Sequence, residues 1–452
     1  FYFTFNYKIM SSNSTNIDPA ILTSILGEKR ASEKYAKLGI KYNPFPRSGT
    51  TNINGNDIYN RFMIPIDPVV LGQLNMFISN SLANNEIDNT DKFISATVLG
   101  NYGSGKTQLL MYTRFLLNMI ATSSDYEATP YVIYIDNPGV SLLEFIGNII
   151  ARIGEENLRK YLWNNIINVI DNEYEYKNIL LPYVNNTILL FDTENKDPFA
   201  AENRVSYKQF LTVFTQNITT TDKRKKFDLE FRNLLLKVLD YYTKDSVVSY
   251  YFYEFISGDY GVNKTWEALT SGSLKQLKGK EARVIKYIVK LVKEQGFSDF
   301  FILVDEFEDI TEGRLTKSQI DNYVYNLRTL LDEQREWCLM FTMTPLALKK
   351  LRSVSPPLAD RISSREIWLQ DLNTEQAISI VKNYMTIVEH DSLLPFTEDG
   401  IAYLVDIVDG NIRRFLKMCF RLIEEAALTF TSPDNKINKA FIESQNLLEQ
   451  ES

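Results

Sequence analysis

The sequence predicts an α/β fold built on a five-stranded parallel sheet with helices on both faces. Three observations lead to this prediction. The string "GNYGSGKT" (100–107) stands between an apolar run and an amphipathic run. The string "FFILVDEFEDI" (300–310) ends a second apolar run in carboxylates. Strand-like and helical patterns alternate along much of the chain, which is typical of a parallel sheet covered by helices.

Five segments carry the pattern of buried strands. They are the run with Ile94, Ala96 and Val98, then 130–136 ("PYVIYID"), the "FFILV" before Asp305, 336–345 ("EWCLMFTMTP") and 365–372 ("REIWLQDL"). At least one helical pattern separates each strand from the next. Such spacing allows the crossover connections that parallel strands require.

The first motif predicts a nucleotide site. Its spacing, G-x-x-x-x-G-K-[ST], follows a strand pattern and opens a helical one. Successive backbone N–H groups in such a turn, with a helix N-terminus, surround phosphate oxygens. Lys106 is then expected at the β- and γ-phosphates of ATP, and the Thr107 hydroxyl at Mg²⁺. The residues expected to line the nucleotide are Gly100, Asn101, Tyr102, Gly103, Ser104, Gly105, Lys106, Thr107 and Gln108. The sheet is therefore expected to be that of a P-loop NTPase.

The second motif supplies what ATP hydrolysis needs besides a phosphate site. The end of the apolar run is expected to deliver Asp305 to Mg²⁺ and Glu306, as general base, to the attacking water. The alternative is a strand that ends in a solvated acidic turn, since Glu308 and Asp309 follow. With the loop already present, the pair of motifs predicts an ATPase.

The bulk composition sets limits on the class of protein. The chain has 452 residues, of which 44% are hydrophobic, enough for two or three domains with real cores. No apolar run approaches the roughly 20 residues that span a bilayer, so a soluble cytoplasmic protein without membrane contact is expected. The net charge of −8 argues against a uniformly basic coat for nucleic acid but says nothing of a local patch.

Cysteine and histidine offer little chemistry. The two cysteines, Cys338 and Cys419, lie in apolar periodic segments and are expected to pack as small hydrophobes rather than form a disulfide. The single histidine, His390, has no partner at metal-ligand spacing. The predicted chemistry therefore depends on the loop and the acidic strand.

The order of these parts resembles the AAA+ family, within it the branch of origin-recognition and replication-initiation ATPases, transposition regulators and signalling NTPases. The resemblance implies a sensor 1 residue at Thr342 or Thr344. From "PPLADRISSREIWLQDL" it implies an arginine finger at Arg361, with Arg365 and Arg414 as competing positions. From "GNIRR", in a region similar to the family's helical lid, it implies sensor 2 at Arg413.

One further position has two interpretations. Asn137 follows the second predicted strand and matches the family's switch residue, which holds the general base away from water. An Asn before Pro138-Gly139 is also ordinary turn chemistry.

The resemblance also divides the chain. The expected parts are an N-terminal extended arm (1–59), the first part of the AAA+ core (60–140), a helical insertion (141–296), the second part of the core (297–372), a C-terminal helical lid (373–430) and a tail (431–452). The insertion is larger than the family's connection at this point and is expected to be a domain. The winged helix that follows the lid in replication initiators is expected to have no counterpart here. The arm is expected to close over the adenine or to dock on a neighbouring subunit.

The insertion contains the most basic stretches, one of them "DKRKKF" (222–227). A second forms a stripe at helical spacing that is able to follow a phosphate backbone. Its residues are Lys275, Lys278, Lys280, Arg283, Lys286, Lys290 and Lys293. The alternative interpretation is a solvated face that balances an acidic protein. The insertion is equally a candidate surface for a protein partner.

Two functions follow from these features. The first is an ATPase that forms homo-oligomers, completes a neighbour's site in trans through Arg361, and acts as a nucleotide-dependent assembly switch on DNA or a DNA-associated complex. The second is a signalling or defence NTPase whose helical insertion senses a protein or nucleic-acid trigger. Both require ATP and Mg²⁺.

Overall fold

The computed structural model of the chain describes residues 34–49, 66–83, 94–123, 128–183, 205–216, 218–257, 279–312, 315–390 and 392–445. These residues belong to two compact units. One comprises 66–370, and the other comprises 34–49 together with 371–445. Two lysines of the predicted basic stripe, Lys275 and Lys278, lie outside the described residues.

The larger unit holds a parallel sheet and the helices around it. Its strands are β1 (Ile94–Leu99), β2 (Tyr131–Ile135), β3 (Phe300–Val304), β4 (Cys338–Met343) and β5 (Glu366–Trp368). Its helices are α1 (Pro68–Ala83), α2 (Lys106–Thr122), α3 (Leu142–Ile153), α4 (Glu155–Asn172), α5 (Tyr174–Leu180), α6 (Tyr207–Gln216), α7 (Thr221–Thr243), α8 (Ser246–Ser257), α9 (Glu281–Lys293), α10 (Lys317–Glu333), α11 (Pro345–Val354) and α12 (Pro356–Ile362).

The five strands form one sheet in the order β2-β3-β4-β1-β5, and every pairing is parallel. The predicted α/β fold with a five-stranded parallel sheet is confirmed. Strand β4 lies between β1 and β3, with Thr342 opposite Val98 and Phe341 opposite Val304. The carboxyl ends of these three strands therefore lie side by side at one end of the sheet. The loop 100–105 follows β1 there, and the acidic segment that begins at Asp305 follows β3.

Alternation along the strands explains why both faces of the sheet are covered. In β3, Phe301 and Leu303 pack into a core that includes residues of α1 and α2. Phe300, Ile302 and Val304 point the other way, into a second and larger core. All five residues of β3 are buried, as expected for a parallel strand with helices on both sides.

The helical insertion between β2 and β3 shares that larger core. Its helices α3 to α9 bury apolar residues such as Ile149, Leu162, Phe231 and Phe252 in the same cluster as Ile302. The structure places the insertion against one face of the sheet, with a core continuous with that face.

The smaller unit is built from α13 (Thr374–Ile387), α14 (Glu398–Ile407), α15 (Ile412–Thr429) and α16 (Lys439–Ser444). Residues 34–49 pack on these helices. Lys34 Nζ and Tyr35 OH both lie 2.5 Å from the Glu424 carboxylate, and the Phe45 ring stacks on Tyr384 at 5.1 Å between centroids. This part of the predicted arm is thus fixed to helices of its own unit.

Two smaller expectations concern the cysteines and the membrane. Cys338 and Cys419 are buried and are not joined by a disulfide, as expected for residues that pack as small hydrophobes. Within the ranges that the structure describes, no helix has the length and apolar character needed to cross a bilayer.

Candidate nucleotide site

The loop 100–105 joins the end of β1 to the start of α2. Gly103 and Gly105 have φ angles of 78° and 98°, in the left-handed region that favours glycine. A Cβ on Gly100 would lie only 2.3 Å from Ser104 Oγ. Three glycines of the motif are therefore needed for the shape of the turn.

Lys106 begins α2 and directs its side chain back across the loop. Its Nζ donates to Gly100 O at 3.0 Å and Asn101 O at 3.3 Å, and lies 3.5 Å from Glu308 Oε1. The residue is only 8% exposed. A buried ammonium held at the loop is the arrangement that a phosphate-binding lysine requires.

The Asp305 carboxylate is held by donors from the first turn of α2 and from the ends of β2 and β4. Its Oδ2 accepts from Thr107 Oγ1 at 2.7 Å and from Tyr134 OH at 3.0 Å. Its Oδ1 accepts from the Thr342 hydroxyl. The aspartate is buried, and burial together with the Asp305 charge raises the pKa of Tyr134, which keeps this phenol a donor. Residues far apart in sequence thus fix both carboxylate oxygens.

Glu306 follows Asp305 and exposes its side chain at the same edge. Its backbone is left-handed, with φ 52° and ψ 36°. Its N–H donates to Asp305 Oδ1 and to Thr342 Oγ1, both at 3.1 Å. A non-glycine residue in this region costs on the order of 1–3 kcal/mol and clusters at functional sites. The strained turn is therefore a further indication that this strand end is a functional site.

Both candidates for sensor 1 lie at this edge. Thr342 touches Asp305 and Glu306 as described above. Thr344 caps α11, since its Oγ1 accepts from Ala347 N at 3.0 Å, and it donates to Glu312 Oε1 at 2.9 Å. Thr342 is therefore the one in contact with the predicted metal ligand.

Glu312 also connects this edge to the tip of the phosphate-binding loop. Its Oε2 accepts from Tyr102 OH at 2.5 Å, and this hydrogen bond, with partial burial, raises the pKa of Tyr102. The Tyr102 ring lies 5.3 Å from Lys106 Nζ and is 61% exposed. The loop tip and the end of β4 are thus joined through one carboxylate.

The Asn137 side chain forms the turn that the second interpretation predicts, and it also contacts a carboxylate. Its Oδ1 accepts from Gly139 N at 2.7 Å, which is ordinary Asx-turn chemistry. Its amide nitrogen donates to Asp309 Oδ2 at 2.9 Å. The expected carboxylate partner was Glu306; among the described hydrogen bonds the carboxylate that Asn137 contacts is Asp309, three residues further on.

Arg361 lies at the other end of the sheet, where β1 begins. Its guanidinium forms an ion pair with Asp332 and donates to Pro357 O at 3.0 Å, all within the chain. Its carbonyl accepts from Ser95 at the start of β1, whereas Gly100 follows the end of β1. Five residues of strand separate these points by about 16 Å at roughly 3.3 Å per residue. Arg365, the competing position, is half-buried directly before β5.

Arg413 stands in the first turn of α15 in the smaller unit. Gly410 is left-handed, with φ 64°, and the Asn411 side chain accepts from Arg414 N at 3.0 Å as the helix N-cap. The "GN" of the predicted sensor 2 motif therefore starts a helix. Both arginines that follow are exposed.

The predicted basic stripe is largely paired in the structure. Asp245 binds Lys280 at 2.9 Å and Arg283 at 2.5 Å. Lys290 lies 3.7 Å from the centre of the Tyr242 ring and pairs with Glu294, and Lys293 pairs with Glu336. Exposed Lys286 has no such pair among the described residues. The stripe mainly joins α9 to its neighbours.

Three site residues were missed in the sequence: Tyr134, Glu308 and Glu312. Tyr134 carried a signal, because it is a polar-tipped residue near the end of a buried strand. Glu308 appeared only as part of an acidic turn, yet it is 3% exposed and contacts Lys106. Nothing in the sequence distinguishes Glu312 from a solvated carboxylate.

Comparisons with known proteins add little detail. No protein-family model matches the chain, and no curated protein does. The Aeropyrum pernix Orc1 protein in complex with DNA matches with 11% identity and a TM-score of 0.40, over 85% of this chain and 66% of that one. Cdc6p from Pyrobaculum aerophilum matches with 12% identity and a TM-score of 0.38, over 84% and 65%. The chain spans just under two thirds of each.

Proposed function

We propose that this protein binds ATP with Mg²⁺ at the loop 100–107 and hydrolyses it. One observation carries the proposal: Thr107 Oγ1 lies 2.7 Å from Asp305 Oδ2, at the edge where Lys106 is buried. A hydroxyl on the phosphate-binding loop and an aspartate at the end of a buried strand are the ligands that P-loop NTPases offer to Mg²⁺. Here 198 residues of sequence separate two atoms in hydrogen-bond contact.

The residues present fit the nucleotide and its metal. Loop N–H groups and Lys106 would hold phosphate oxygens, and Thr107 and Asp305 would hold Mg²⁺. Ser104 is 6% exposed, and its hydroxyl has no hydrogen-bond partner among the residues that the structure describes. Such an atom suits a loop shaped for a ligand with acceptors of its own. The metal supplies neutralisation of phosphate charge.

Glu306 is the proposed general base. Its carboxylate would accept a proton from the water whose oxygen attacks the γ-phosphorus, while the bond to the bridging oxygen of ADP breaks. The left-handed turn and its two N–H contacts hold the backbone of Glu306, an exposed residue directly after Asp305. Positioning of a base in this way is typically worth 10²–10⁴ in rate.

The test compares two substitutions. Glu306→Gln should bind Mg·ATP like the parent and release phosphate at least about a hundredfold more slowly. Lys106→Ala should lose nucleotide binding. Glu333→Gln, an exposed carboxylate at the end of α10, is the matched control and should behave like the parent. Parental turnover by the Glu306 variant would show that this residue is not the base.

A second proposal concerns assembly. Arg361 contacts the start of β1, and the length of β1, about 16 Å, separates this contact from the loop of the same chain. Arg361 would therefore act only on the site of a second copy. A finger supplied in trans is worth 10³–10⁵ in rate in other NTPases. Mixing Arg361→Ala with Glu306→Gln should then recover part of the activity that each lacks alone. No recovery would assign Arg361 to its ion pair with Asp332 instead.

Binding to DNA distinguishes the two functions predicted from the sequence. The paired stripe on α9 gives DNA binding little support. Four exposed cations stand at the start of α7: Arg224 and Lys226 pair with Asp228 and Glu230, and Lys223 and Lys225 are the two that the test reverses. Retention on duplex DNA that weakens steeply with salt, and is lost when Lys223 and Lys225 become Glu, would favour an assembly switch on DNA. Absence of retention at low salt would favour the signalling NTPase.

A further inference from the structure

The buried ammonium of Lys106 has a counterion within its own chain. Its Nζ lies 3.5 Å from Glu308 Oε1, and the two residues are 8% and 3% exposed. Buried ions require a partner, since removing one member of such a pair leaves an uncompensated charge. Glu308 therefore neutralises the same lysine that the phosphates of a nucleotide require.

The Glu308 carboxylate is only partly satisfied. Its Oε2 is buried and has no hydrogen-bond partner among the described residues, and the same holds for Ser104 Oγ in the loop. Burial raises the pKa of Glu308, and the Lys106 charge opposes that shift. Buried polar atoms without partners are rare in native proteins, so one on the carboxylate that contacts Lys106 and one in the loop itself suit a site that binds a polar ligand.

The backbone of Glu308 belongs to a turn that contacts other strand ends. Its carbonyl accepts from Thr311 N and Glu312 N, both at 2.9 Å. The adjacent Asp309 contacts Asn137, and Glu312 contacts Tyr102 and Thr344. The turn that carries Glu308 is therefore connected by side-chain contacts to the ends of β2 and β4.

We propose that Glu308 is an intramolecular competitor of the nucleotide: its carboxylate occupies Lys106 and must yield it to the phosphates of ATP. This inference rests on the proposed function of the site. The competing charge weakens binding of phosphates but has no effect on the nucleoside. It also links nucleotide binding to the position of the turn 307–312.

The decisive variant is Glu308→Gln, which keeps the shape and removes the charge. Its affinity for ATP and ADP should rise at least about fivefold, the lower end of typical coupling between ligands. Affinity for inorganic tripolyphosphate should rise likewise, and affinity for adenosine should not change. The protein without ligand should melt at a lower temperature, because Lys106 loses its counterion, and ATP should raise that temperature more than in the parent.

Titration calorimetry with ATP, ADP, tripolyphosphate and adenosine measures these affinities, with Glu333→Gln as control. A folded parent that binds no ATP would contradict the proposed function itself. A parent that binds ATP beside a Glu308→Gln variant that binds it equally or more weakly would overturn the competitor role alone. If the glutamine variant does not fold, Glu308→Asp, whose shorter side chain weakens the pair, should show a smaller rise, and parental affinity there overturns the proposal.

Discussion

Replacing Thr342 by Val tests whether the donors around Asp305 serve catalysis. The substitution preserves the shape of a fully buried side chain and deletes one hydroxyl. That hydroxyl donates to Asp305 Oδ1 and accepts from Glu306 N. Asp305 would keep its donors at Oδ2, namely Thr107 and Tyr134. The loss is therefore confined to the side of the carboxylate that faces Glu306.

The expected size follows from the charge on Asp305. A hydrogen bond to a charged group contributes about 1.5–3 kcal/mol. At about 1.36 kcal/mol per tenfold in rate, kcat for phosphate release should fall roughly 10- to 150-fold. Binding of ATP through Lys106 and the loop should change little, because neither contacts Thr342.

Steady-state phosphate release and ATP titration separate the two quantities. Thr342→Ser retains a hydroxyl and should recover most of the lost rate. Thr113→Val is a matched control, since Thr113 is equally buried but bonds Leu109 O within its own helix. If Thr342→Val turned over ATP at the parental rate, or lost no more than Thr113→Val, the contact with Asp305 would have no catalytic role.

Three further outcomes are expected. Gly100→Ala should abolish ATP binding in calorimetry, because the new Cβ would lie 2.3 Å from Ser104 Oγ, while Gly72→Ala, where a Cβ meets nothing within 4 Å, should bind normally. Excision of 141–296 should give insoluble protein by sedimentation, since it uncovers the face of Ile302; a soluble, ATP-binding product would refute the shared core. Burial acts to raise the pKa of Glu424, but hydrogen bonds from Lys34, Tyr35 and Asn43 outweigh it and hold that pKa below its ordinary 4.5. Residues 34–49 should thus be fully protected from proteolysis above about pH 4.5, and this protection should be lost as pH falls through the lowered pKa of Glu424. In the Glu424→Gln variant, which has no carboxyl group to titrate at this position, that dependence on pH should disappear.

The strands were predictable because their signal is local. The predicted segments 130–136 and 336–345 contain the observed strands β2 and β4, whose bounds differ from the predicted ones by one or two residues. Strand β3 ends directly before Asp305, as predicted. Buried parallel strands need continuous apolar runs, and such runs stand out between helical patterns. The order of the strands was not read from the sequence, because it depends on how crossovers pack. That order decides that Thr342, rather than a residue of β1, meets Asp305.

The site was predictable where backbone geometry dictates residue type. Glycines at 103 and 105 are demanded by positive φ, and a hydroxyl and an aspartate are demanded by the expected metal. Contacts between side chains on different elements were not. Glu308 and Arg361 show this in opposite ways: one contacts Lys106 although its sequence context suggested a solvated turn, and the other is paired with Asp332 at the far edge. Rotamers and long-range neighbours decide both.

The insertion is connected to the candidate site through the two strands that flank it. It leaves the sheet after β2 and returns into β3, and these strands are neighbours paired from Tyr131–Phe300 to Ile135–Val304. Tyr134 on β2 donates to the carboxylate that follows β3. A shift between the two strands therefore changes a contact of the predicted metal ligand. Because α3 follows β2 and α9 precedes β3, the insertion is connected to Asp305 through this pair of strands.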